Sequence, residues 1–160
     1  MQDGKVVLAR VHLEADRVER FPVGGLADLV KRYGLHTQAQ ECIWVISHDR
    51  AGTVHTINEV ARGDGDQVAL DLPGTLTAVL AAGAPAFSVA HNHPTMDPTP
   101  SYADRQLTNT LMEAANSVGL LFEDHVIVEP TGTSFSFRDA GLIIGVNRVG
   151  VKAAAPRRRK

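Results

Sequence analysis

The chain has 160 residues, enough for one domain that buries most of its apolar surface without staples. A 44% hydrophobic and 21% charged content is that of an ordinary globular protein, and a net charge of −2 excludes a molecule that coats nucleic acid with its whole surface. The single cysteine, Cys42, excludes an internal disulfide, and no apolar run approaches the ~18 residues of a membrane span.

The N-terminal stretch MQDGKVVLARVHLEADR carries charges where a signal peptide needs an apolar core, so the chain reads as cytoplasmic. Residues 5–14 (KVVLARVHLE) are rich in β-branched and apolar side chains and predict a strand. Gly24-Gly25 then opens LADLVKRYG, where Leu26, Leu29, Val30 and Tyr33 recur at helical spacing and Gly34 ends the helix. Residues 42–47 (CIWVIS) form a continuous apolar run, the pattern of a buried strand. A turn over 48–52 leads into the alternating strand 53–60, and 62–66 predict a polar loop. His48 and His55 flank this turn and read as surface residues, whereas Cys42 reads as core.

Pro73 sits in the first turn of a helix that continues through TLTAVLAAG to Gly83. Residues 84–90 (APAFSVA) make a small apolar strand that runs straight into His91. The next segment, HNHPTMDPTP, has three prolines in ten residues and predicts a loop. Ser101 starts a long helix with an apolar stripe of Leu107, Leu111, Ala114, Ala115 and Val118, ended by Gly119. Strands are predicted at 125–129 (HVIVE) and 134–137 (SFSF), with a turn at 131–133. Residues 151–160 end in four basic residues and predict a disordered tail, weakly attractive to nucleic acid or acidic surfaces. Residues 1–145 thus form a single domain of mixed strands and helices, an α/β sandwich around a mostly buried sheet.

His91 and His93 stand two apart at the end of an apolar strand, and residues i and i+2 of an extended chain share a face. Two imidazoles therefore project together, with Asn92 turned away and Pro94 halting the strand. Neutral imidazole is a common zinc ligand, so the pair is a half-made metal site. Asp104 lies three residues before Leu107 and seven before Leu111, which puts it on the inward face of its helix. A buried carboxylate wants a cation or donors. A metal shared with both histidines satisfies it and leaves a position for water, as in catalytic zinc sites. The competing explanation is a helix capping box with Ser101 at N-cap and Asp104 at N3. The full pattern His-x-His-x7-Ser-x2-Asp arises by chance about once in a thousand chains of this composition, which favours the metal. Metal-assisted hydrolysis also needs a base. Glu41, just before the buried strand 42–47, is one candidate and Glu59 on the returning strand is its rival, but the residues alone favour a solvated Glu41 at a strand start. Ser101 is placed to donate a hydrogen bond to a developing oxyanion besides capping its helix.

Glu41, His91-Asn92-His93, Ser101 and Asp104 together resemble the JAMM (MPN+) zinc metallopeptidase motif, with its intervals intact. The run from His91 to Asp104 is more closely similar to the RadC-like branch. The likeness continues through Thr108, Leu111, Ala114 and Gly119 into Asp124-His125-Val126-Ile127-Val128 and Ser134-Phe135-Ser136, covering about residues 38–140. This resemblance implies a cytidine-deaminase-like fold (JAB/MPN), a three-layer α/β sandwich with a central mixed β-sheet flanked by helices. It implies Zn2+ on His91, His93 and Asp104, Glu41 as general acid/base and Ser101 as the transition-state helper. It also implies a protein or peptide substrate, such as a ubiquitin-like conjugate, cut at a peptide or isopeptide bond.

Three features depart from the RadC-like pattern. Met96 stands where a glycine is usual, Leu72-Pro73-Gly74 replaces a Pro-Arg-Glu segment, and the helix-hairpin-helix part of full-length RadC proteins has no counterpart, which removes the main reason to expect DNA binding. A DNA-associated or non-enzymatic module with a structural or vestigial metal site is the alternative reading. Asp124-His125 reads as a hydrogen-bonded structural pair. A deaminase is excluded by its ligands, since that chemistry uses His-x-Glu followed by Pro-Cys-x-x-Cys.

Overall fold

The first helix shows how the fold is built from pattern. Leu26, Leu29 and Val30 are buried at i, i+3 and i+4 spacing on α1 (Gly25–Arg32), and Gly34 reverses the chain at φ 84°, a conformation that favours glycine. The computed structural model describes residues 9–10, 20–22, 24–63 and 69–143. After a short 3-10 turn (Leu35–Thr37) come β2 (Glu41–His48) and β3 (Val54–Gly63), then α2 (Leu72–Ala81), β4 (Ala86–Asn92), α3 (Tyr102–Ser117), β5 (Leu121–Val128) and β6 (Ser134–Ser136). A two-residue β1 (Ala9–Arg10) precedes them.

The strands form a six-stranded sheet in the order β1-β3-β2-β4-β5-β6. Among the described strands only β4 and β5 run parallel, and the remaining pairs are antiparallel, so the sheet is mixed. A parallel pair needs a long crossover, and α3 supplies it. Alternation along the strands divides the core between two faces. Cys42, Trp44, Ile46, Ala90, Val126 and Val128 pack on one face with Leu26, Leu29 and Val30 of α1. Ile43, Val45, Phe87, Val89 and Phe122 pack on the other with Ala78 and Val79 of α2 and Leu111 and Ala115 of α3. The result is the α/β sandwich that the pattern predicted, in the three-layer form with a central mixed sheet that the family resemblance implied. Each fully buried Leu or Val contributes about 1.5–3 kcal/mol relative to exposure.

Several boundaries move. The strand β3 runs to Gly63, because Arg62 and Gly63 pair with Cys42 and Glu41, so the polar loop begins later than the composition implies; residues 64–68 lie outside the described part. Strand β4 runs through His91 and Asn92, and β5 starts four residues before His125. Val118 caps the C-terminus of α3 and is 47% exposed, so it drops out of the apolar stripe. Thr108 takes a place on the buried face instead. His48 is fully buried rather than superficial. Its ring bonds the carbonyl of Asp49 at 2.9 Å and Ser88 Oγ at 3.0 Å and packs against Phe21, which satisfies both nitrogens inside the protein. Of the N-terminal strand over 5–14, Ala9 and Arg10 are seen paired with Glu59 and Asn58. The basic tail over 151–160 lies outside the described residues. No helix among the described residues is long and apolar enough to cross a membrane.

Candidate metal centre

The centre lies at the carboxyl end of β4, the usual end for ligands in α/β sheets. His91 pairs in register with Ile43 of β2. Continuing that antiparallel register by two places sets Glu41 across from position 93. The backbone N–H of His93 donates to the Val128 carbonyl at 2.9 Å, keeping the chain beside β5 one residue past the strand. His91 is 1% exposed, and His93 keeps 16% of its side chain accessible at the mouth of the site.

Asn92, between them, turns to the opposite face and is not idle there. Its Oδ1 accepts from Cys42 N–H at 2.7 Å, and its Nδ2 donates to the carbonyls of Gln38 at 3.1 Å and Gln40 at 2.9 Å. One amide therefore fixes the backbone on both sides of Glu41. The Cys42 thiol beside it is pushed up to about 11, by burial first and then by the Glu59 charge, so it is inert core.

Asp104 reaches the same place from α3. The capping box exists: Ser101 Oγ accepts from Asp104 N–H at 3.1 Å, and Asp104 Oδ2 accepts from Ser101 N–H at 2.8 Å. The carboxylate nevertheless also faces the histidines, with Oδ1 3.2 Å from His91 Nε2 and Oδ2 3.1 Å from His93 Nε2. Capping and site-building are thus one arrangement, not alternatives. Burial works to raise the Asp104 carboxyl, but hydrogen bonds from His91 and His93 outweigh it and hold the group well below the usual carboxylate range. Burial opposes charge on His93, yet Asp104 and the Asp97 carbonyl raise its pKa above the ordinary imidazole value.

Glu41, His91, His93 and Asp104 offer ligand atoms that all lie within 4.8 Å of one another. Glu41 Oε1 stands 3.8 Å from His91 Nε2, further back than Asp104. The structure thus gathers these four expected residues. Ser101 is adjacent through its cap but exposed, and it is not part of the four. Glu59 is not there either: its carboxylate is held by Arg62 at 2.6 and 3.0 Å.

The donor set fits a zinc ion. The Nε2 atoms of His91 and His93 approach to 3.0 Å, and each lies within 3.2 Å of an Asp104 oxygen. Ligands bound at 2.0–2.1 Å in a tetrahedral zinc site stand roughly 3.3 Å apart. Two imidazoles and one carboxylate are also the chemistry zinc accepts, although imidazole suits several other transition metals.

Behind His91 lies a second buried group that the sequence pattern did not reveal as part of the site. His91 Nδ1 is 2.7 Å from His125 Nε2, and His125 Nδ1 is 2.7 Å from Thr108 Oγ1. The His125 ring stacks on Phe137 with centroids 4.7 Å apart. Burial first, and the nearby His91 next, hold His125 well below the ordinary imidazole pKa. Asp124 behaves as the structural residue expected, accepting from His125 N–H, Ser136 Oγ and Arg138 N–H. The two halves of that dipeptide therefore do different things.

The profile of the RadC-like JAB domain matches residues 25–142. The chain belongs to this family. A UPF0758 protein of Porphyromonas gingivalis is 33% identical over 104 residues, 65% of this chain and 46% of its own length. One from Rhodobacter capsulatus is 36% identical over 99 residues, 62% of this chain and 46% of its own length. One from Vibrio cholerae is 29% identical over 140 residues, covering 86% of this chain and 89% of its own length. The chain thus spans about half the length of the first two relatives and most of the third. Every residue of the cluster, and Thr108 and His125 behind it, lies inside the RadC-like JAB match.

Proposed function

We propose that this RadC-like JAB domain is a zinc-dependent hydrolase of the JAMM type that cuts a peptide or isopeptide bond. The observation that carries the reading is the convergence of Glu41, His91, His93 and Asp104 within 4.8 Å at the end of β4. His91, His93 and Asp104 hold the ion. Zinc in such a site supplies Lewis acidity toward a carbonyl and lowers the pKa of water to about 7. Glu41, 3.8 Å from His91 Nε2 and so further back than Asp104, stands at the side of the site as the carboxylate left over for acid/base work. From there its carboxylate takes a proton from the attacking water and returns it to the departing amine nitrogen. Ser101 uses one lone pair to cap α3, and its hydroxyl proton stays available to the oxyanion that develops on the carbonyl. The substrate class in this reading is a protein or peptide, including a conjugate to a ubiquitin-like modifier. A single cysteine and no disulfide suit the cytoplasm as the place of action.

Glu41→Gln and His93→Ala separate the roles. Elemental analysis of purified protein should find zinc in the wild type and in Glu41→Gln, and little in His93→Ala. Assay against isopeptide-linked peptides should show Glu41→Gln slowed about 10^2- to 10^4-fold, the usual worth of a general acid/base. A wild type without a divalent ion, or a Glu41→Gln enzyme at full rate, removes the proposal.

A further inference from the structure

An imidazole that binds a metal through one nitrogen must carry its proton on the other. His91 turns Nε2 toward His93, Asp104 and Glu41, so Nδ1 is the nitrogen that must be protonated. That Nδ1 lies 2.7 Å from His125 Nε2, and a single proton occupies such a contact. With the proton on His91, His125 Nε2 accepts, and the proton of His125 resides on Nδ1. Nδ1 in turn donates to Thr108 Oγ1 at 2.7 Å. The one hydroxyl proton of Thr108 then goes to the main-chain carbonyl of Asp104 at 2.8 Å. Each donor in this chain has one acceptor, and the direction is set at its far end by a carbonyl that can only accept.

The opposite polarity would place a proton on His91 Nε2, aimed at the metal position. It requires the Thr108 hydroxyl to leave the Asp104 carbonyl and donate to His125. Thr108, His125 and His91 are each no more than 1% exposed, so bulk water does not compete for these bonds. Stacking on Phe137 at an interplanar angle of 6° restrains the orientation of the His125 ring between its two partners.

We propose that Thr108 and His125 are positioning residues that lock His91 in the Nδ1–H tautomer and so preset it as a metal ligand. The relay runs from the backbone of one proposed ligand, Asp104, to the ring of another, His91. The assignment rests on the metal-site reading above but not on hydrolysis.

The test measures zinc affinity by competition with a chromophoric chelator, on wild type, Thr108→Val and Thr108→Ser. Valine keeps the volume and removes the hydroxyl; serine keeps the hydroxyl. Affinity should fall about 10- to 100-fold in Thr108→Val, the typical effect of losing a ligand's hydrogen-bond partner. Serine should restore most of it. Nitrogen-15 NMR of the zinc-loaded wild type should show the His125 proton on Nδ1, a readout that general packing would not set. Equal zinc affinity in wild type and Thr108→Val, or a His125 proton on Nε2, overturns the relay while leaving the metal site standing. No zinc binding by the wild type overturns both. If Thr108→Val fails to fold, as judged by near-UV circular dichroism, the wild-type spectrum and the serine variant decide: His125 protonated on Nε2, or zinc affinity in Thr108→Ser lowered as far as valine's expected loss, overturns the relay.

Discussion

Asn92 shows how a residue can be passed over by a motif and still shape its site. Reading the sequence for ligand spacing finds His91, His93 and Asp104, because each contributes an atom directly and each obeys a local period of two or 3.6 residues. Asn92 contributes through three backbone groups of the distant segment that leads into β2, at Gln38, Gln40 and Cys42, and nothing local to the sequence announces that. Thr108 and His125 were hidden for the same reason: they act through His91. Glu41 lay between, since only a family resemblance separated it from a solvated strand end. Replacing Asn92 with alanine strands the buried Cys42 N–H and takes a donor from the half-buried Gln38 and Gln40 carbonyls, a loss of about 1–3 kcal/mol by the usual cost of an unsatisfied buried group. It also frees the backbone that aims Glu41 while leaving the His91, His93 and Asp104 side chains in place. Hydrolysis should therefore fall by a larger factor than zinc affinity in Asn92→Ala. Parallel chelator titration and rate measurement check this, and equal loss of both would mean that Asn92 supports the ligands rather than the base.

At the scale of elements, apolar pattern and turn signals located every described α-helix and strand from Gly25 onward but not the 3-10 turn over Leu35–Thr37, and the boundary errors at the strands fall where tertiary pairing extends or ends an element. Strand β3 continues through Arg62 and Gly63 because β2 offers it partners, a fact no local pattern carries. The turn between β5 and β6 is a further case. Glu129, read from sequence as the end of a strand, folds back instead to accept from Thr131 Oγ1, from Thr131 N–H at 2.9 Å and from Thr133 N–H at 2.8 Å. Lys31 of α1 donates to the Gly132 carbonyl at 3.1 Å and ties the turn to the first helix. The Thr131 hydroxyl first, then the turn's amides, pull the Glu129 carboxyl from 4.5 down to about 2. A group whose folded pKa is depressed stabilises the fold above its unfolded value and loses that contribution as pH falls through the folded one. The wild type should accordingly be more stable than Glu129→Gln at pH 6, and the gap should close as pH drops from about 4.5 toward 2. Denaturant midpoints measured along that range would expose the opposite case, a gap independent of pH.

For the molecule as a whole, the sheet and one of its helical layers meet at the candidate centre. His91 comes from β4 and His93 from the residue just past it, Glu41 from β2 and Asp104 from the first turn of α3. The sequence made this convergence readable in part, since the strand-loop-helix order alone brings the end of β4 to the start of α3. The approach of β2 is a matter of sheet order, β2 beside β4, and strand order is not written in any local pattern. A ligand bound by residues of separate elements binds the folded chain and not the unfolded one, so it stabilises by RT ln(1 + [L]/Kd). At free zinc one hundred times Kd this is about 2.7 kcal/mol, a rise in Tm on the order of 10 °C for a domain of this size. Chelator-treated protein should therefore melt lower and regain its Tm on adding zinc, with the rise growing as the logarithm of zinc concentration. His93→Ala should show no such rise, because the remaining histidine and carboxylate no longer close around the ion. A wild-type Tm that ignores zinc would mean that these four side chains, close as they stand, do not bind it. An equal rise in wild type and His93→Ala would mean that zinc binds elsewhere in the chain.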